Sequence, residues 1–369
     1  MNHPYKILFS EYKLGSITLK NRVVMAPMTR SRAINNVPNT LMVKYYSERA
    51  GAGLIITEGT APSPDGLGYA RIPGLFNKEH VDAWKKVTDA VHTKGGKIFV
   101  QLMHTGRIGH PLNLPDEGVV RGVSAVAAAN TQMHTDEEGM QVLPVPKEIG
   151  TEEIAGLINE FVQSARLAVE AGFDGVELHG ANGYLLDQFL NPASNHRTDK
   201  YGGSPEKRNQ FVLEVTAAVA NTIGKSRTGI RLSPFGAFND MIADENTEKQ
   251  YIQLAAGLKG IGIAYIHVVD HSSMGAPAVP QGVKDAVRDA FGNTIILSGG
   301  YDAARAELDL EATRGELVAF GRLFISNPDL VKRIAEAAIL EQPDFGTFYT
   351  PGEKGYTDYP ILDEQLQAN

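Results

Sequence analysis

Eight short runs of continuous apolar residues, separated by helix-like segments, constrain this fold more than any other feature. They are Arg22–Ala26, Leu54–Glu58, Lys97–Leu102, Gly175–His179, Gly229–Leu232, Tyr265–Val269, Thr294–Leu297 and Leu317–Phe320. Continuity, as opposed to alternation, marks strands buried on both faces, as in a parallel sheet. The segments between them carry a helical period. In Glu152–Gly172, for example, Ile154, Leu157, Ile158, Phe161, Ala165, Ala168 and Val169 fall on one face, and Gly172 supplies a stop. Ser204-Pro205-Glu206 and Asn327-Pro328-Asp329 each read as an N-cap followed by proline at the first helical position. Eight strand–helix units predict one closed α/β (β/α)8 barrel over residues 1–369 in preference to an open doubly wound sheet.

Three stretches stand outside the alternation. Lys13–Lys20 alternates through Leu14, Ile17 and Leu19 around Gly15-Ser16, as a hairpin closing the barrel bottom would. Residues 110–147 have no helical period and fall where the third helix should begin. They read as a lid or subdomain inserted after strand three. The tail from Gln342 carries Phe345, Phe348, Tyr349, Tyr356 and Tyr359, too many aromatic residues for a disordered end.

Composition narrows the chemistry. There is no cysteine, which excludes disulfides, thiolate zinc sites, iron–sulfur clusters and cysteine nucleophiles. The net charge is −8, which argues against sequence-independent nucleic-acid binding. His267 and His271 straddle a strand end, His104 and His110 are equally loose, and no His-Glu-x-x-His occurs, so no metal site is expected. The N-terminus shows no secretory pattern and no apolar stretch is long enough to span a bilayer, so a cytoplasmic protein, monomeric or homodimeric, is expected without a membrane partner.

In such barrels the active site lies at the C-terminal ends of the strands. The residues there are Pro27-Met28-Thr29-Arg30 after strand one, Gln101 and His104-Thr105-Gly106-Arg107 at strand three, and His179-Gly-Ala-Asn182-Gly-Tyr184 after strand four. Arg231 lies in strand five, Gly299-Gly300 after strand seven and Gly321-Arg322 after strand eight. Glycines let backbone N–H groups approach an anion, and arginine adds a charged fork. Gly-Gly alone would more often just end a strand, whereas the two loops together favour a phosphate site. His179 and Asn182 can both donate to one oxygen, and Tyr184 can deliver a proton. Taken alone, the same trio also fits an ordinary strand-end loop.

These residues carry a resemblance. Met25-Ala-Pro-Met-Thr-Arg30, Gln101-Leu-Met-His-Thr-Gly-Arg107, the run from Gly172 to Phe189, Asn195–Ser204, Arg231-Leu-Ser-Pro234, Phe320–Leu330 and Gly355–Pro360 resemble, in order and over nearly the whole chain, the Old Yellow Enzyme family. That resemblance implies an NAD(P)H-dependent FMN oxidoreductase that reduces the activated C=C bond of α,β-unsaturated carbonyl or nitro compounds, with nitrate-ester reduction as a side activity. FMN would be tight and non-covalent, and NADPH or NADH the reductant. The resemblance implies flavin contacts at Pro27, Thr29, Gly59, Gln101 and Arg231, and phosphate contacts at Gly299, Gly300, Gly321 and Arg322. It implies His179 and Asn182 as the pair holding the substrate oxygen and Tyr184 as the proton donor. Tyr69, Met103, Phe238 and Tyr349 would line the substrate pocket. Thr29 is similar to the branch with threonine, not cysteine, beside the flavin, and Met103 departs from the tryptophan frequent in relatives. Two alternatives remain at this point: a flavin-free phosphate-binding lyase or isomerase with His179 as base, and a non-catalytic flavoprotein.

Overall fold

The computed structural model describes residues 4–115 and 118–363. Eight parallel strands close into a barrel: β1 (Val23–Met25), β2 (Leu54–Thr60), β3 (Ile98–Leu102), β4 (Gly175–Gly180), β5 (Thr228–Leu232), β6 (Tyr265–Val269), β7 (Thr294–Ser298) and β8 (Leu317–Phe320). Each pairs with its neighbours in chain order, and β8 closes on β1 through Val318 beside Val23 and Phe320 beside Met25. Among the described residues ten α-helices accompany them: α1 (Thr40–Glu48), α2 (Lys78–Thr93), α3 (Ile154–Glu170), α4 (Leu185–Leu190), α5 (Pro205–Ile223), α6 (Thr247–Ile261), α7 (Gln281–Phe291), α8 (Ala303–Glu311), α9 (Arg322–Ser326) and α10 (Leu330–Ala335).

Strand parity splits the core in two. Val23, Ile55, Ile98, Val100, Val176, Leu178, Ile230 and Ile266 pack outward against the helices. Val24, Leu54, Ile56, Phe99, Tyr265, Ile296 and Leu317 fill the inside of the barrel. The hairpin Tyr12–Leu14/Ile17–Leu19 adds Leu14 and Leu19 to that inner cluster and so plugs the bottom, as its alternation predicts. Gly15 makes its turn at φ +55, against the backbone of Ser226.

Helix ends follow their local chemistry in most places. Ser204 caps α5 by accepting the Lys207 N–H, with Pro205 at the first turn. Gly172 stands at φ +87 just beyond α3. Two readings need correction. Val169 is 36% exposed and leaves the buried face of α3, where Val162 and Ser164 pack in its stead. Asn327 ends α9 and does not start the next helix, which begins at Leu330. Its buried amide donates to the carbonyls of Leu323 and Glu341, so it ties down the tail.

Residues 118–147 form irregular chain with a short parallel pair, Arg121–Gly122 beside Lys147–Glu148, and an antiparallel hairpin, Gln132–Thr135/Gly139–Val142. Just before them, Pro111–Asn113 makes one 3-10 turn. The tail is ordered by two arginines from the β1–α1 loop. Arg30 donates to the carbonyls of Phe348 and Gly355, and Arg32 to those of Thr347, Phe348, Gly352 and Lys354. Tyr356 is buried and stacks on Tyr45 at 4.1 Å. No helix among the described residues is long and apolar enough to cross a membrane.

Candidate active site at the barrel mouth

The parity that fills the barrel with apolar side chains at its base puts polar ones inside near its top. Val176 and Leu178 face the helices, so Glu177 and His179 face the axis. By the same alternation Gln101 on β3, Arg231 on β5 and His267 on β6 point inward. His179, Arg231 and His267 stand side by side in register.

Arg231 is 7% exposed, its side chain forms no hydrogen bond or salt bridge with any described residue, and its Nε is buried without a partner. Burial lowers its pKa, with Glu177 opposing. A guanidinium so placed is costly unless an acceptor or anion meets it. His179 Nδ1, Asn182 Oδ1, His267 Nε2 and His271 Nδ1 are likewise buried and unpartnered. Native interiors leave few such atoms, and five around one mouth mark a place built for a polar ligand.

The loop after β4 is held by its backbone, which frees its side chains. Asn182 adopts φ +62. Its N–H donates to Ser233 Oγ at 2.9 Å, and its carbonyl accepts from Asn239 Nδ2 at 2.7 Å. Gly183 follows at φ +76 and donates to Asp187 Oδ2 at 2.8 Å. Burial pushes the Asp187 carboxyl up to about 6. Tyr184 lies beside His179, ring centroids 5.0 Å apart, and its hydroxyl is 2.9 Å from that of Tyr69.

Electrostatics fix the protonation states. Burial, with repulsion from Arg231, His267 and His271, takes His179 well below its ordinary value, so it is neutral near pH 7. Burial and Tyr69 push Tyr184 well above 10, and burial pushes Tyr69 up to about 12. The loop therefore offers neutral N–H donors next to a phenol that keeps its proton.

The other expected residues fall into distinct places. Pro27 is buried and Thr29 half-buried at the end of β1. The next residue, Arg30, donates its N–H to Glu58 Oε2 at 3.3 Å, which ties this loop to β2 beside Gly59. A register shift in β2 sets Gly59 opposite Gln101, and Met103 Sδ fills the space a Cβ on Gly59 would take. Met103 is buried among Ala61, Leu67 and Ile72, with Tyr69 and Tyr184 against that cluster. Gly299 and Gly300 (φ +148 and +64) end β7, and Gly321 and exposed Arg322 follow β8 next to it. Phe238 packs on His271, centroids 4.5 Å apart. Tyr349 sits on the rim, 62% exposed, with its carbonyl accepting from Arg71.

Several participants escaped sequence reading. Glu177, Ser233, Asn239, Asp187 and Tyr265 hold the site residues but make no strand-end motif. A charged residue inside a run read as buried on both faces was the available signal for Glu177. One cluster outside the mouth, Asp65, His104 and Glu160, has metal-like spacing. His104 Nδ1 accepts the Gly106 N–H at 3.0 Å, so the proton is on Nε2, the atom facing the carboxylates. That tautomer makes His104 a donor and not a metal ligand. Although burial opposes it, His104, Ser63 and Arg121 hold the Asp65 carboxyl well below the usual range.

A closed parallel barrel with this polar mouth belongs to the class of barrel enzymes that act on bound small molecules. Residues 7–341 match the family described as NADH:flavin oxidoreductase / NADH oxidase. A probable flavin mononucleotide-dependent alkene reductase of Leishmania infantum is 42% identical over 361 residues, covering 96% of this chain and 98% of that one. 12-Oxophytodienoate reductase 1 of Oryza sativa subsp. japonica is 41% identical, covering 97% and 93%. The solved structure of morphinone reductase superposes with a TM-score of 0.94 at 42% identity, covering 99% of each chain. The old yellow enzyme homologue from Zymomonas mobilis superposes at 0.91 with 39% identity, covering 96% and 99%. The chain belongs to the NADH:flavin oxidoreductase / NADH oxidase family, that of the Old Yellow Enzymes.

Proposed function

We propose that the protein is an NAD(P)H-dependent FMN oxidoreductase that reduces the activated C=C bond of α,β-unsaturated carbonyl or nitro compounds. The observation that carries this is the buried, unpaired Arg231 beside the neutral His179 and Asn182. A cation needing an anionic neighbour and two polar side chains, each with a buried polar atom left unpartnered, share one mouth. The relatives, a flavin mononucleotide-dependent alkene reductase and 12-oxophytodienoate reductases among them, point the same way. These residues fit FMN. Gly299, Gly300, Gly321 and Arg322 would take its phosphate, Pro27, Thr29, Gly59 and Gln101 its ring, and Arg231 the negative charge that grows on reduction.

FMN, when bound, supplies the hydride chemistry between the nicotinamide and the substrate. The chain supplies the rest. His179 and Asn182 donate N–H groups to the substrate carbonyl or nitro oxygen, which draws electron density from the double bond. Tyr184, still protonated, delivers its proton to the α carbon. Tyr69 holds the Tyr184 hydroxyl in place, Met103 packs behind both rings, and Phe238 and Tyr349 flank the entrance. Ala128, Met133 and Leu143 of the inserted segment pack against Tyr69 and Tyr184, which supports its role as a lid over part of the mouth, and either NADPH or NADH serves as reductant.

The test is a titration of the holoprotein under nitrogen. NADPH or NADH should bleach the flavin spectrum and cyclohexenone should restore it. A protein reduced by nicotinamide but not reoxidised by enones or nitroalkenes contradicts the assignment.

A further inference from the structure

Below the mouth, one carboxylate gathers three strands. Glu177 is fully buried. Its Oε1 accepts from Gln101 Nε2 at 2.8 Å, and its Oε2 accepts from the Tyr265 hydroxyl at 3.1 Å and pairs with His267 Nδ1 at 2.9 Å. The barrel makes room for this. Gly229 lies between Glu177 and Tyr265 in register, and a Cβ there would strike the Tyr265 ring. The phenol can cross to the carboxylate only because β5 has no side chain at that point.

Each contact has a consequence one layer higher. Gln101 commits one N–H of its amide to Glu177, which fixes the amide's orientation and turns its carbonyl oxygen away from the carboxylate. Burial keeps His267 neutral, so its one ring proton sits on Nδ1 and donates to Glu177, and Nε2 is a bare lone pair. Arg231 is the one cation among these inward residues, and Glu177 is the carboxylate whose charge opposes its desolvation. We propose that Glu177 is a positioning residue for the flavin: it orients Gln101 and His267 as acceptors facing the mouth and sets the charge that a reduced flavin bound there would meet. This rests on the FMN reading above.

The sign follows from charge. Reduced FMN carries more negative charge than oxidised FMN, so a carboxylate below the mouth would disfavour the reduced state relative to the oxidised one. Glu177→Gln removes that charge and keeps the shape. The amide N–H2 it introduces then donates to His267 Nδ1 and moves the ring proton to Nε2. Glu177→Asp keeps the charge.

The experiment measures FMN dissociation from the oxidised and reduced holoprotein, with the midpoint potential, in wild type and both variants. Glu177→Gln should tighten reduced FMN relative to oxidised FMN by roughly tenfold, raising the potential, while Glu177→Asp stays near wild type in that ratio. An unchanged ratio in Glu177→Gln overturns the proposal. If that variant does not fold, 15N shifts of the wild-type holoprotein decide: a protonated Nδ1 and bare Nε2 on His267 support the proposal, and the reverse tautomer or an imidazolium overturns it. A wild-type protein that binds no FMN refutes the cofactor reading itself, a result visible before any variant is made.

Discussion

Tyr184 and His179 carry opposite perturbations from the same cause. Burial raises one and lowers the other, and both stay uncharged. Tyr184→Phe should keep FMN binding and reduction by NADPH, because neither step needs a proton on carbon. Its oxidation by cyclohexenone should slow by about 10²–10⁴-fold in stopped flow, the usual worth of a placed general acid. Equal slowing of both half-reactions would mean that Tyr184 shapes the pocket. The pH dependence follows from the same shifts. A lowered histidine pKa keeps His179 neutral above its folded value, and a raised phenol pKa keeps Tyr184 protonated below its own. The enone half-reaction should therefore show no limb near the ordinary histidine value of about 6.5 from His179, and no loss below about pH 9 from Tyr184. A limb there that vanishes in a His179→Asn variant would contradict the account. Removing Arg322 tests the phosphate loops: Arg322→Ala should weaken FMN about ten- to a hundredfold, read by flavin fluorescence.

Between elements, the loops are fixed by side chains distant in sequence. Arg32 holds the tail through four backbone carbonyls between residues 347 and 354. Arg32→Ala should cost at least about 2 kcal/mol and open residues 344–356 to limited proteolysis, because charged hydrogen bonds to buried carbonyls are lost. Unchanged cleavage would mean that Tyr356 stacking alone orders the tail. These ties explain what the sequence did and did not disclose. The strands and the bottom hairpin were legible because a run of Val and Ile, or the alternation of Leu14, Ile17 and Leu19, states its environment locally. The roles of Arg32, Asn327 and Glu177 were not, because each depends on partners 14 to more than 300 residues away. Asn327-Pro328 has the local look of a helix start, but its amide serves Glu341.

At the scale of the molecule, two nested cores separate stability from chemistry. The outer core between strands and helices holds the barrel, and the inner core, plugged from below, turns polar toward its upper rim. That rim gathers Gln101, His179, Arg231 and His267 from four strands, and each reaches the mouth because strand parity points it inward. We propose that this rim binds FMN and uses it to reduce enones. The decisive measurement is an absorbance spectrum of the purified holoprotein, taken anaerobically before and after NADPH and again after cyclohexenone. Flavin bands should bleach with NADPH and return with the enone, with saturated ketone formed in the same amount as the flavin reoxidised. A colourless protein that stays colourless after added FMN, or a reduced flavin that the enone leaves bleached, would contradict it.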